Sequence, residues 1–183
     1  MKIQIIGLGE SATNWHEHRH EFDLSIGVND VQKFGHSPDY LLVIDSPKRF
    51  TKERMVTILK TKAQKYITRD DQWNGILPSY EKVRMQQFTK HLKKGHVYSS
   101  KTSTFVALSL AFNLHATEVV LYGVDLTNHT VFNPGNKLQA YEIRQYTNFC
   151  RMLKDQGCQV FVSSEKSALS KILSVYEPYY SNT

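Results

Sequence analysis

Residues 14–23 read NWHEHRHEFD, and within them His16, Glu17 and His20 spell H-E-x-x-H. On an α-helix that spacing puts two imidazoles on one face to grip Zn²⁺, with the Glu set to act on the bound water. The chemistry needs a long helix with an apolar face. Here His18 and Arg19 fill the middle, while Asn14, Glu21 and Asp23 flank it. Trp15 and Phe22 alone could anchor a core, so the segment reads as the solvated side of a short helix and the five letters as coincidence.

A second set of candidates stands at the ends of apolar runs. Gly7-Leu8-Gly9-Glu10-Ser11-Ala12 fits G-x-G-x-x-A, the dinucleotide fingerprint. Its glycines let the backbone approach a phosphate, and Ser11 can cap the following helix. Asp30 lies about 20 residues on, where a ribose-binding acid sits in that motif. Against NAD(P), Glu10 places a negative charge inside the turn. Gly27-Val28-Asn29-Asp30 offers an amide and a carboxylate that can read a base or ribose, or cap a helix. Asp45 closes YLLVID, just before Ser46-Pro47, which has the form of a cap followed by Pro at the first helical position.

The stretch YSSKTSTFVALSLAFNLH crowds Ser99, Ser100, Thr102, Ser103 and Thr104 into the entrance of a helix that is apolar almost all round. Such a helix is central, and its N-terminus projects a positive dipole. Capping needs one hydroxyl, so five point to an anion such as phosphate. Further on, EVVLYGVDLTNH ends a run with Gly123 and Asp125, followed by Asn128 and His129 in a loop containing Gly and Pro.

These groups need elements to position them. Strands are expected at IQIIGL, DLSIGV, YLLVID, QKYIT, HVYSS, EVVLYGV and CQVFVS, and helices near 11–20, 47–62, 79–94, 103–115, 138–156 and 165–174. Alternation of this kind predicts a single α/β domain over 1–176: Rossmann-like and doubly wound, with a mainly parallel sheet and helices on both faces. Residues 71–96, punctuated by Gly75 and Pro78, read as an excursion or lid, and 177–183 as a flexible tail. In such folds ligands bind beyond the carboxyl ends of the strands.

A chain of 183 residues can bury one substantial core. No apolar run approaches the roughly 20 residues of a membrane span. MKIQIIGLG enters a strand directly, and Cys150 and Cys158 suggest no disulfide framework, so a cytoplasmic setting is expected. The formal charge of +6 favours anionic partners such as nucleotides, nucleic acid or acidic sugars, without choosing among them. The densest basic stretch, TKHLKKGH, reads first as a solvated helix end.

G-x-G-x-S after the first strand, Asn29 after the second, and TS opening a buried helix that leads to LYGVD resemble the bacterial sialyltransferases that decorate lipooligosaccharide. The resemblance covers residues 1–45 and about 99–126. It implies a Rossmann-like, metal-independent enzyme that uses a CMP-sugar donor, with Gly7, Gly9, Asn29, Thr102, Ser103 and Asp125 lining the nucleotide site. That family has an Asn where Leu8 stands, and its catalytic His falls in the segment from Asn128 to Tyr146. His129 is the histidine there, and Tyr141 and Tyr146 are its tyrosines. The same stretches are similar to the pterin-pyrophosphokinase-like group, in which SPDYLLVIDSP would supply Asp39 and Asp45, with Asp30 and Asp125, to Mg-ATP.

The expected function is therefore a glycosyltransferase-like enzyme binding a nucleotide-activated sugar of the CMP-sugar type. Ser11, Asn29, Asp30, Asp45, Thr102, Ser103, Gly123 and Asp125 would line its crevice. His129, Tyr141 or Asp125 would move the proton, and no metal would be required. The alternatives are Mg²⁺-dependent pyrophosphoryl transfer and a non-catalytic nucleotide or nucleic-acid binding module.

Overall fold

Runs of apolar residues buried on both sides build the centre of the molecule. A computed structural model describes residues 1–69, 71–89, 91–93, 95–127 and 136–178. Its strands are β1 (Lys2–Ile6), β2 (Leu24–Val28), β3 (Tyr40–Val43), β4 (Lys65–Thr68), β5 (Glu81–Lys82), β6 (Met85–Gln87), β7 (Val97–Ser99), β8 (Glu118–Tyr122) and β9 (Gln159–Val162). Its α-helices are α1 (Lys52–Lys60), α2 (Ser103–Asn113) and α3 (Lys137–Asp155).

Seven strands form one sheet in the order β5-β4-β3-β2-β1-β8-β9, and every pairing in it is parallel. The expected mainly parallel, doubly wound sheet is thus present. Alternate residues feed two cores, as strand geometry requires. Ile3, Ile5, Leu42, Val119 and Leu121 pack with α2 and α3 through Phe105, Leu108, Tyr146 and Phe149. Ile6, Leu41, Val43, Val120 and Tyr122 pack on the opposite face with Ile58 of α1, Trp15 and Trp73. Among the described residues no helix is long and apolar enough to cross a membrane.

The connections differ from the periodicity-based expectation in three places. Residues 11–20 form 3₁₀ turns (Glu10–Ala12 and Trp15–Glu21) rather than an α-helix. Ala12, Trp15 and Phe22 are the buried apolar residues there, too sparse for a continuous helical stripe. With three residues per turn, His16 and His20 no longer share a face, so the zinc-protease arrangement is lost. Among the described residues of 79–94 the structure holds β5 and β6, not a helix. Pro78 opens the segment, and Val83 N–H donates to the Thr68 carbonyl at 2.8 Å, which ties the chain to the sheet edge as a strand. β6 pairs with β7 in a separate two-stranded sheet, so HVYSS is a strand outside the central one.

At 165–174 a single 3₁₀ turn, Ala168–Lys171, replaces the expected helix. The chain must return within a dozen residues to make a parallel bridge from Val175 to Val162, which leaves no length for a full helix and two connections. The helix expected over 47–62 is divided into a 3₁₀ turn at Pro47–Arg49, capped by Ser46, and α1, capped by Thr51.

Candidate functional site

Chain order runs outward from β1 to β5, then returns to the other side of β1 as β8. The strand order therefore switches between β1 and β8, the place where crevices form in open α/β sheets. A cleft of about 890 Å³ opens there. Its walls include Gly9 and Ser11 after β1, Asn29 after β2, Asp45 after β3, Thr102, Ser103 and Thr104 at the start of α2, and Gly123 and Asp125 after β8. Ser103, Asn29 and Asp125 thus share one cavity, as the strand-end reading expected.

The exits of β1 and β8 are clamped together. Gly9 N–H donates to Gly123 O at 2.9 Å. Ser11 N–H donates to Asp125 Oδ2 at 3.1 Å, Ser11 Oγ donates to Asp125 Oδ1, and Gly123 N–H donates to Ser11 Oγ at 2.9 Å. A Cβ at Gly7 would collide with the Gly123 carbonyl, and one at Gly9 with the Asp125 carboxylate. The glycines therefore permit two backbone segments to touch, and the Gly9 N–H is already committed. The following 3₁₀ turn is too short to present a helix N-terminus. This corrects the dinucleotide reading of GLGESA: neither the turn nor Ser11 forms a phosphate cradle. Gly7 itself is not part of the cleft wall.

Asn29 is the site's least satisfied residue. It sits in the left-handed region at φ 53°, is 8% exposed, and its Oδ1 has no hydrogen-bond partner among the described residues. Leu126, just past Asp125, also has a positive φ of 54°. Buried polar atoms are normally paired, so this oxygen, itself shut off from solvent in the wall of the cleft that Asn29 lines, is an acceptor left without a partner.

The hydroxyl-rich entrance of α2 is organised differently from the expectation. Ser99 Oγ donates weakly to Gln86 O at 3.4 Å, and Ser100 and Thr102 donate to the buried Glu142 of α3. Thr104 shares a 2.9 Å hydrogen bond with Tyr146 Oη. Thr102 is also the cap, accepting from Phe105 N–H at 3.3 Å. Of the five hydroxyls Ser103 alone is left unengaged among the described residues. It remains beside its own N–H and that of Thr104, which the helix cannot satisfy. Burial holds the Tyr146 phenol protonated, far above the ordinary tyrosine range.

The carboxylates do not converge. Asp30 is buried but not part of the cleft wall, and Arg54 Nε donates to it at 2.9 Å. Asp45 meets Arg49 at 3.2 Å, and Asp125 holds Ser11. Asp39 stands at the amino end of β3, opposite the cleft, where it accepts from Ser25 N–H and Ser25 Oγ, each at 2.7 Å. No group of three His, Cys, Asp or Glu side chains among the described residues could hold a metal ion. Placing Asp39 with Asp45 on one Mg²⁺ is therefore corrected by the opposite ends they occupy.

Tyr141 lies on the first turns of α3 outside the cleft wall, with Lys101 Nζ 6.0 Å from its ring centre. His129 lies outside the described residues. None of the described residues of 71–96, the segment read as a lid, borders the cleft. Reading strand ends missed Arg49, Phe50, Arg54, Lys101 and Lys166, all of which line the cavity. Arg54 covers the Phe50 ring at 4.8 Å, and Phe50 leans on Trp73, whose Nε1–H donates to Asp45 O at 3.0 Å. The basic pair in SPKRF, directly behind a strand end, was the available signal.

No protein-family model matches the chain, and no curated protein matches it in sequence. Solved structures do resemble it. The sialyltransferase CstII from Campylobacter jejuni with the substrate analogue CMP-3FNeuAc has a TM-score of 0.58 at 10% identity, over 96% of this chain and 86% of that one. The same protein with cytidine-5'-monophosphate has a TM-score of 0.59 at 12% identity, over 100% of this chain and 88% of that one. CST-II in complex with a trisaccharide acceptor and CMP has a TM-score of 0.60 at 11% identity, over 100% and 89%. The link to pterin pyrophosphokinases finds no counterpart in these likenesses. What the chain shares with CstII, at this identity, is its α/β, Rossmann-like fold.

Proposed function

We propose that the cleft binds a nucleotide-activated sugar of the CMP-sugar type and that the chain is a glycosyltransferase-like enzyme. The observation that carries this reading is the convergence of three unlike groups at the strand-order switch. They are the Asn29 amide, the Ser103 hydroxyl at the α2 terminus, and Asp125. The likeness to structures that hold CMP and a saccharide acceptor supports it.

In this reading Ser103 Oγ and the N–H groups of Ser103 and Thr104 take the phosphate. Asn29 and the outward lone pairs of Asp125 take base and ribose. Donors already fixed in place stabilise the nucleotide as it departs with its negative charge. The proton of the acceptor hydroxyl goes to a base supplied by residues 126–141, a stretch of sequence that includes His129 and Tyr141. No metal is needed, because the helix terminus and the cationic Lys101 and Lys166 carry the charge. The buried thiols of Cys150 and Cys158 suit a reducing, cytoplasmic setting.

The test is thermal protection by CMP, CMP-sugars, ATP and NADH, each with chelator and with Mg²⁺. CMP at about 100 times its Kd adds roughly 2.7 kcal/mol, which raises Tm by about 5–10 °C in a chain of this size. Protection by CMP in chelator is the expected result. Protection only by ATP with Mg²⁺ would transfer the site to phosphoryl chemistry.

A further inference from the structure

Glu142 on α3 is 0% exposed, yet it makes no ion pair among the described residues. Its carboxylate accepts from Ser100 Oγ at 2.5 Å, from Thr102 Oγ1 at 2.8 Å and from Lys101 N–H at 3.2 Å. All three donors belong to the segment that leads into α2. A buried carboxylate without a counter-cation is costly. The positive potential on offer is the N-terminus of α2, which begins at Ser103, one residue beyond its Thr102 partner. The same terminus borders the cleft whose wall also holds Asn29, with its buried, unpartnered oxygen.

We propose that Glu142 is a positioning residue that fixes the entrance of α2 and sets how tightly that entrance holds an anion. The inference rests on the reading of the cleft given above. Its three acceptor bonds lock residues 100–102, so Ser103 Oγ and the N–H groups of Ser103 and Thr104 stay directed along the cleft wall. Its negative charge draws on the same helix terminus from behind. An arriving phosphate therefore meets donors that are rigid but already partly neutralised, and binds less tightly than the helix alone would allow. For a transferase that must release a nucleotide after each cycle, this favours product departure. Glu142 lies beneath the wall and touches no ligand.

Glu142→Gln separates charge from shape. The amide oxygen can accept from Ser100 and the Lys101 N–H, and the NH₂ can donate to Thr102 Oγ1, so the segment stays held while the charge is gone. The experiment is a ¹H–¹⁵N titration that follows the Ser103 and Thr104 amides, first with inorganic phosphate and then with CMP. It compares wild type, Glu142→Gln and Glu142→Ala, each checked as folded. Glu142→Gln is expected to bind both ligands about two- to fivefold more tightly, the effect of one charge at a helix terminus. Glu142→Ala is expected to bind more weakly, because residues 100–102 lose their anchor.

Equal or weaker phosphate affinity in Glu142→Gln overturns the proposal. Phosphate binding at these amides with no gain for CMP removes the nucleotide reading, while the Glu142→Gln comparison still decides this one. Wild-type amides that move with neither ligand sink both.

Discussion

Asn29 leaves β2 in the left-handed region with a buried oxygen that nothing among the described residues satisfies. The backbone conformation costs most L residues about 1–2 kcal/mol, and an unpaired buried acceptor costs roughly 1–3 kcal/mol. Costs of this kind gather where a ligand is to be held. Asn29→Gly removes both terms along with the amide. It should melt at or above the wild-type temperature when empty, yet lose most of the protection that CMP gives. Equal CMP protection in the two proteins would show that the amide reads nothing. Asp125→Asn acts through structure instead. One of its side-chain atoms becomes a donor facing the Ser11 N–H or Oγ, so the clamp between β1 and β8 loses about 1–3 kcal/mol. Its Tm should fall without any ligand present. Asn29, Ser103 and Asp125 were legible in sequence because each directly follows or precedes a strong apolar run. The true partners of Ser100 and Thr102 were not, since Glu142 lies 42 and 40 residues further on and only packing brings it near. Five hydroxyls therefore read as phosphate ligands when two of them serve a carboxylate and two more are held by Gln86 and Tyr146. Arg49 and Arg54 were hidden for a similar reason, because a turn after β3 and the first turn of α1 swing them round to the cavity.

Among the elements, α2 and the buried strands could be read in advance because their apolar residues leave no choice of environment. Residues 103–113 are largely buried, and a continuous apolar stretch of that length with a Thr cap fits a central helix. The segment 79–94 could not be read so well. Its few apolar residues suit either period, and Val83 N–H joining the Thr68 carbonyl beside β4 decides for strand. The elements also set how the site is held: besides the packing of Phe105 on Tyr146 and Phe149, α3 supports the start of α2 through two polar side chains, Glu142 and Tyr146. Tyr146 Oη lies 3.2 Å from Thr102 Oγ1 and 2.9 Å from Thr104 Oγ1 inside a closed core. Tyr146→Phe deletes that bridge and leaves the Thr104 hydroxyl buried without it, at a cost of about 1 kcal/mol. For a chain of this length that is a fall in Tm of about 2–4 °C. Ser103 does not use the bridge, so the CMP affinity of the folded variant, measured by calorimetry, should stay close to wild type. A large loss of affinity would mean that Tyr146 shapes the cleft as well as supporting it.

For the whole molecule, the doubly covered sheet buries several groups that are neutral only while protonated. Burial pushes the Cys158 thiol from 9.0 up to about 11 and the Tyr122 phenol from 10.0 up to about 12. It drives Cys150 and Tyr146 higher still. A folded state that holds a proton more tightly than the unfolded chain loses stability once pH passes the unfolded value. The contribution of Cys158 is therefore complete below about pH 9 and is lost between pH 9 and 11, while that of Tyr122 fades from about pH 10 to 12. Each group in its window removes up to about 1.4 kcal/mol per pH unit. The melting temperature should be nearly level from neutral pH to about 8.5 and then drop with increasing slope. Cys158→Ala tests the assignment without ligand or activity. The small cavity it leaves lowers the whole curve by a similar amount at every pH, so slopes rather than heights are compared. Between pH 9 and 11 the variant should decline less steeply than the wild type. An identical slope would mean that Cys158 keeps an ordinary thiol acidity, and that the sheet is less closed at its β8–β9 side than the packing of Leu153 and Val119 around it requires.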